Sequence, residues 1–166
     1  MGFSGSFIVA RADRPVTELA ALRSSPCVAV WWARNDSWQI LQALPGGDPD
    51  VSIVAETAAP VLVCHVVDSD FVTVQAASPG GLSWQSVLSP AMARDYGFPE
   101  KWIGDPDEVA EQAVAWAREA GLHPTPAEVR AALVQERDLF AENLVFQLSH
   151  ALGFRFDGGV DLPKAP

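Results

Sequence analysis

Asp68 and Asp70 stand two residues apart at the end of the apolar run VLVCHVV, with His65 and Cys64 just before them. On a continuing strand the two carboxylates would share a face. They could then hold a divalent cation or transfer protons. His65 lies three residues before Asp68, so it would face the other way, and His123 and His150 stand far along the chain. Asp-Ser-Asp is also turn material, because short polar side chains bond the local backbone. The earlier run CVAVWWA breaks at Arg34-Asn35-Asp36 in the same manner. A hairpin turn is therefore the expectation, with no metal and no cofactor.

The other catalytic arrangements are weaker. Cys64 and His65 are neighbours, which places them on opposite faces of a strand, and a thiol at a strand centre is an inert hydrophobe. GFSGS near the start lacks the glycine spacing of a nucleophile elbow and no strand precedes it. Neither Cys-x-x-Cys nor His-Glu-x-x-His occurs. The two PGG segments, at 45–47 and 79–81, have no Walker lysine, and ENLVFQ at 142–147, which has the letters of a protease tag, falls within a helical apolar pattern. No catalytic residue is assigned, and the balance leans against an enzyme.

The elements that must carry these residues read as strands first and helices later. Strands are expected at Phe7–Arg11, CVAVWWA, SWQILQA, VLVCHVV, FVTVQAA and LSWQSVL, with a helix over RPVTELAALR and a short one after Asp50. Beyond residue 88, Ser89-Pro90, Asp105-Pro106 and Thr125-Pro126 each put a capping residue before a proline at the first helical position. Apolar stripes then run through Val109, Ala113 and Trp116, through Val129, Ala132 and Leu133, and through Phe140, Leu144, Leu148 and Leu152. The fold class is α+β: an antiparallel β-sheet of about five to six strands, built from two hairpins in the N-terminal half, with the C-terminal helices packed on it. Residues 1–154 form one domain, mainly strands over 1–88 and mainly helices over 89–154, and 155–166 is a loosely held tail. Residues 28–43 align without gaps on 61–76, which two similar hairpins explain without duplication.

Trp31 and Trp32 sharpen the picture. Neighbours on a strand face opposite sides, and both faces of this strand and of VLVCHVV are apolar. A sheet solvated on one face would alternate apolar with polar residues. Something therefore covers both faces: helices on each side, a partner subunit, or an apolar ligand pocket. A pocket would use Trp31 or Trp32, with His65 as a polar contact and Arg11 and Asp70 as further binding candidates.

Composition limits the partners. Net charge is −10 with a pI near 4.5, so polyanions are repelled and nucleic acid is not an expected partner. No apolar run is long enough to span a bilayer. Two cysteines do not make a disulfide scaffold. With no signal-peptide pattern, the expected location is cytoplasmic. The segments HVVDSDFVTVQAASPGGLSWQSVL and AVAWAREAGLHPTPAEVRAALVQERDLFAENLVFQLSHALGF resemble parts of small proteins of high-GC actinobacteria that have no assigned function. That resemblance implies no activity and transfers no site residues. The expectation is a non-catalytic acidic interaction protein, of the inhibitor or immunity type, facing a basic protein partner. Self-association as a homodimer and a small-molecule-binding protein or enzyme, with an apolar pocket between sheet and helices, stay open beside it.

Overall fold

The structure is a computed structural model and describes residues 2–25, 27–47, 49–136, 138–156 and 158–162. Its strands are β1 (Gly5–Arg11), β2 (Val28–Asn35), β3 (Trp38–Leu44), β4 (Val61–Val67), β5 (Phe71–Ala77), β6 (Ser83–Leu88) and β7 (Val160–Asp161). They form one antiparallel sheet in the order β6-β5-β4-β1-β3-β2-β7. The two expected hairpins, β2–β3 and β4–β5, are present and flank β1. They are not structural repeats, because β3 pairs with β1 whereas its counterpart β5 pairs with β6.

The sheet has seven strands where five to six were expected. The extra strand is β7, which pairs Val160 and Asp161 with Trp32 and Trp31, while the Leu162 amide donates to Val30 O at 2.9 Å. Two residues beside a pair of glycines carry no readable period. Only the unpaired edge of β2 makes them a strand.

Helices of the same chain cover both faces, which accounts for strands that are apolar on both sides. On the first face, α5 (Pro106–Glu119), α6 (Pro126–Val134) and α7 (Ala141–Leu152) bury Phe7, Val9, Leu62, Cys64, Val74 and Trp84. On the second, a 3-10 turn (Val16–Glu18), α1 (Ala20–Arg23) and α2 (Ile53–Thr57) bury Ile8, Leu41, Val61 and Val63. Beside them α3 (Pro90–Asp95) and α4 (Glu100–Ile103) close over Phe71 and Val87.

Local chemistry explains where elements start and stop. Asp105 caps α5 as expected, accepting from the amides of Asp107 and Glu108 at 3.0 and 3.1 Å. Ser89 and Thr125 do not cap their helices. Ser89 sits at φ 59° and donates its hydroxyl to Glu136 O, while the Thr125 amide donates to Ala151 O. Both are committed to tertiary partners. The helix expected over RPVTELAALR is broken at Leu19, which is extended, and the freed amides of Ala20 and Ala21 donate to the Glu56 carboxylate from α2. Those two bonds hold Glu56 below the usual carboxylate range. Gly153 ends α7 at φ 102°, where a side chain would also strike the His123 backbone at 2.9 Å.

Candidate functional site

The acidic stretch Asp68-Ser69-Asp70 is a turn. Asp68 and Ser69 occupy its centre at φ 50° and 58°, and the Asp70 amide donates to Val67 O at 2.9 Å. Its polar atoms bind the rest of the chain. Asp68 Oδ1 accepts from the Gly2 amide, Ser69 Oγ accepts from the Phe3 amide and donates to Glu142 Oε1, and Ser69 O accepts from the Ala141 amide. Asp70 accepts from the Tyr96 hydroxyl at 2.6 Å, which raises the pKa of that phenol. The turn is thus a post to which the N-terminus, α3 and α7 are tied. No group of three metal-ligating side chains occurs among the described residues.

His65 lies on the second face, and its Nδ1 is 2.8 Å from Ser6 Oγ in the neighbouring strand. Cys64 lies on the first face, fully buried, and burial pushes its thiol up to about 12. The two are therefore no nucleophile–base pair. Trp32 also lies on the second face and donates Nε1 to Gln39 Oε1 at 2.9 Å. Arg11 stacks over Trp38, 4.6 Å from the ring centroid, and donates to Ala120 O at the end of α5. Trp31 lies on the first face. Of the five candidates, Trp31 and His65 are separated by the sheet, Trp32 shares the second face with His65 but is bonded to Gln39, Asp70 is held in the β4–β5 turn, and Arg11 fastens a helix end. They do not converge on one pocket.

What the fold does assemble is a surface around Phe146. Phe146 meets Trp31 edge-on at 6.0 Å and Phe7 at 5.4 Å, and Phe7 meets Phe3 at 6.0 Å. The line of rings starts in the core at Phe7, which is 1% exposed, and reaches solvent at Phe146, which is 41% exposed. The helices of the first face pack mainly on β4, β5 and β6. The β2–β3 end is left less covered, and there Val28 and Leu44, partners in register, are both exposed. The segment entering β7 presses on the Trp31 indole so closely that a Cβ on Gly159 would fall 2.0 Å from the ring. On the far side of Phe146 a groove of about 460 Å³ runs between α6 and α7, with Ala131, Ala132, Gln147 and His150 along it and Glu128 at its rim.

This surface presents rings, small aliphatic side chains and amides, with the His150 imidazole and the Glu128 carboxylate beside them. Sequence reading singled out Trp31 and passed over Phe146. The available signal was that Phe146 falls off the Leu144–Leu148–Leu152 stripe, so a large ring was left without a place in the helix's buried face. No family model matches the chain, and no curated protein or solved structure matches it.

Proposed function

We propose that the protein is a non-catalytic, acidic interaction protein that binds a basic protein partner at the Phe146 surface. The observation that carries this reading is the exposure of Phe146 at the end of a rigid line of aromatic rings. Interfaces gain most of their energy from a few large anchors held in place before binding, and aromatic residues dominate that role. Val28 and Leu44 extend the apolar area, and Glu128 gives it a carboxylate rim. The charge of −10 would speed encounter with a cationic partner and repel acidic competitors. An inhibitor or immunity-type role fits such a surface, because blocking another protein requires affinity and no chemistry. A pocket shared by Trp31 and His65 has less support, since the two stand on opposite faces of the sheet.

The test compares the tagged protein with its Phe146→Asp variant in capture from native lysate, together with light scattering of each purified protein. The expected result is one basic protein recovered at near stoichiometry with the wild type and lost with the variant, both proteins showing the same circular dichroism. Equal recovery by the variant, or recovery of acidic proteins alone, would overturn the proposal. So would a wild-type dimer that the substitution dissociates, which would make a second copy the occupant.

A further inference from the structure

The opposite end of the sheet carries a second, independent feature. Among the described residues, β6 is paired with β5 alone. A cavity of about 400 Å³ lies against Ser83, Trp84 and Gln85 of β6, and against Gln75 and Ala76 of β5. Gln75 pairs in register with Gln85, and Ala76 with Trp84, so the two pairs point to opposite faces of the sheet. A single cavity that touches both pairs borders β6 over residues 83–85, the end of the strand beyond Ser86, whose hydroxyl donates to Ile103 O of α4. Such an edge presents backbone N–H and C=O groups that can pair with another chain.

Two further features lie along the cavity, and the second, its charge, bears on the occupant. Trp84 is 4% exposed, and its indole Nε1 has no hydrogen-bond partner among the described residues. The ring packs on Trp116 and forms a fixed wall of the cavity, with its donor shielded from it. The outer wall brings Asp105 and Glu108 against Lys101, two carboxylates to one ammonium, on a chain that is strongly acidic as a whole. We infer that this cavity receives an extended segment of a basic polypeptide, which adds a short strand to β6. Main-chain bonds to the edge give affinity, and Glu108 selects a cationic side chain. Three edge residues at about 3.3 Å each accommodate a segment of about three residues. The site lies apart from the Phe146 surface and does not depend on the function proposed for it.

The test is an NMR titration following the amide N–H signals of residues 83–85 and the Trp84 indole N–H. The probe is the acetylated and amidated tripeptide lysyl-valyl-lysine. Its controls are the same peptide with glutamate at both ends and the same peptide with proline at the centre, which lacks a main-chain donor. The expected result is saturable shifts at these signals with the lysine peptide, loss of binding with both controls, and about fivefold weaker binding to the Glu108→Lys variant. Phe146→Asp should bind the peptide as the wild type does, which separates failure at this edge from failure of the Phe146 surface. Absence of saturable shifts at millimolar peptide would overturn the inference. Equal binding of the glutamate peptide would overturn its charge preference, and equal binding of the proline peptide would overturn strand addition.

Discussion

At the scale of single residues, Gln39 does more for the fold than any of the candidates read from sequence. It is fully buried, and both ends of its amide are used. Oε1 accepts from the Val16 amide and the Trp32 indole at 3.0 and 2.9 Å, and Nε2 donates to Ala12 O and Arg14 O at 2.9 and 2.8 Å. One side chain thereby fastens the 12–16 loop to β3 and fixes the Trp32 ring. Gln39→Leu would keep the volume and strand several buried groups without partners, so it should cost about 3–5 kcal/mol in urea unfolding. It should also shift tryptophan fluorescence as the indole loses its acceptor. A loss below about 1 kcal/mol would mean that water replaces the amide and that the network is not what holds the loop. Sequence offered no route to this residue. A glutamine within an apolar run reads as a solvent-facing position, and its partners are set by how the loop crosses the sheet.

At the scale of elements, local grammar was legible and long-range dependence was not. The β2–β3 and β4–β5 hairpins and the Asp105 cap follow from nearby residues, and all were readable. The break at Leu19 depends on Glu56, and β7 depends on the edge of β2, so neither has a local signature. The same division applies to the candidate site, where Trp31 was readable as a ring needing cover, but its neighbour Phe146 comes from α7. The β4–β5 turn shows both kinds of dependence within two residues. Asp68 and Ser69 both sit at positive φ, a conformation that costs a non-glycine residue about 1–2 kcal/mol. Asp68 spends its side chain on an exposed bond to the N-terminus, so Asp68→Gly should leave the melting temperature nearly unchanged. Ser69→Gly relieves the same conformation but removes the bonds to the Phe3 amide and to Glu142, whose Oε2 already lacks a partner among the described residues. It should therefore destabilise by about 1–3 kcal/mol. Thermal unfolding of the two variants decides whether the turn is held by its own conformation or by the segments tied to it, and equal effects would refute the second view.

At the scale of the whole molecule, two electrostatic effects oppose each other as pH falls. The formal charge of −10 repels itself, and protonating surface carboxylates relieves that repulsion. Against this, three carboxylates are held below their ordinary values by hydrogen bonds that exist only in the folded chain. Asp50 is lowered by the hydroxyl and then the amide of Ser52, with His65 adding to the effect. Glu56 is lowered by the amides of Ala20 and Ala21, and Asp138 by the side chain of Asn143 and then the amide of Phe140. A group whose folded pKa is depressed contributes stability that is fully present above its unfolded pKa, and that contribution is lost as pH falls through the folded pKa. The unfolded values are 3.8 for aspartate and 4.5 for glutamate. The melting temperature should therefore fall below about pH 4.5, where these carboxylates begin to protonate in the unfolded chain. The ion pairs Arg14–Glu56, Arg94–Glu100 and Arg130–Asp107 have partly or fully exposed partners and add little to either limb. Replacing Asp50 and Asp138 by Asn and Glu56 by Gln should lower stability at pH 7 and flatten the acid limb. A melting temperature that climbs steadily to pH 3 would show that self-repulsion outweighs these hydrogen-bonded carboxylates.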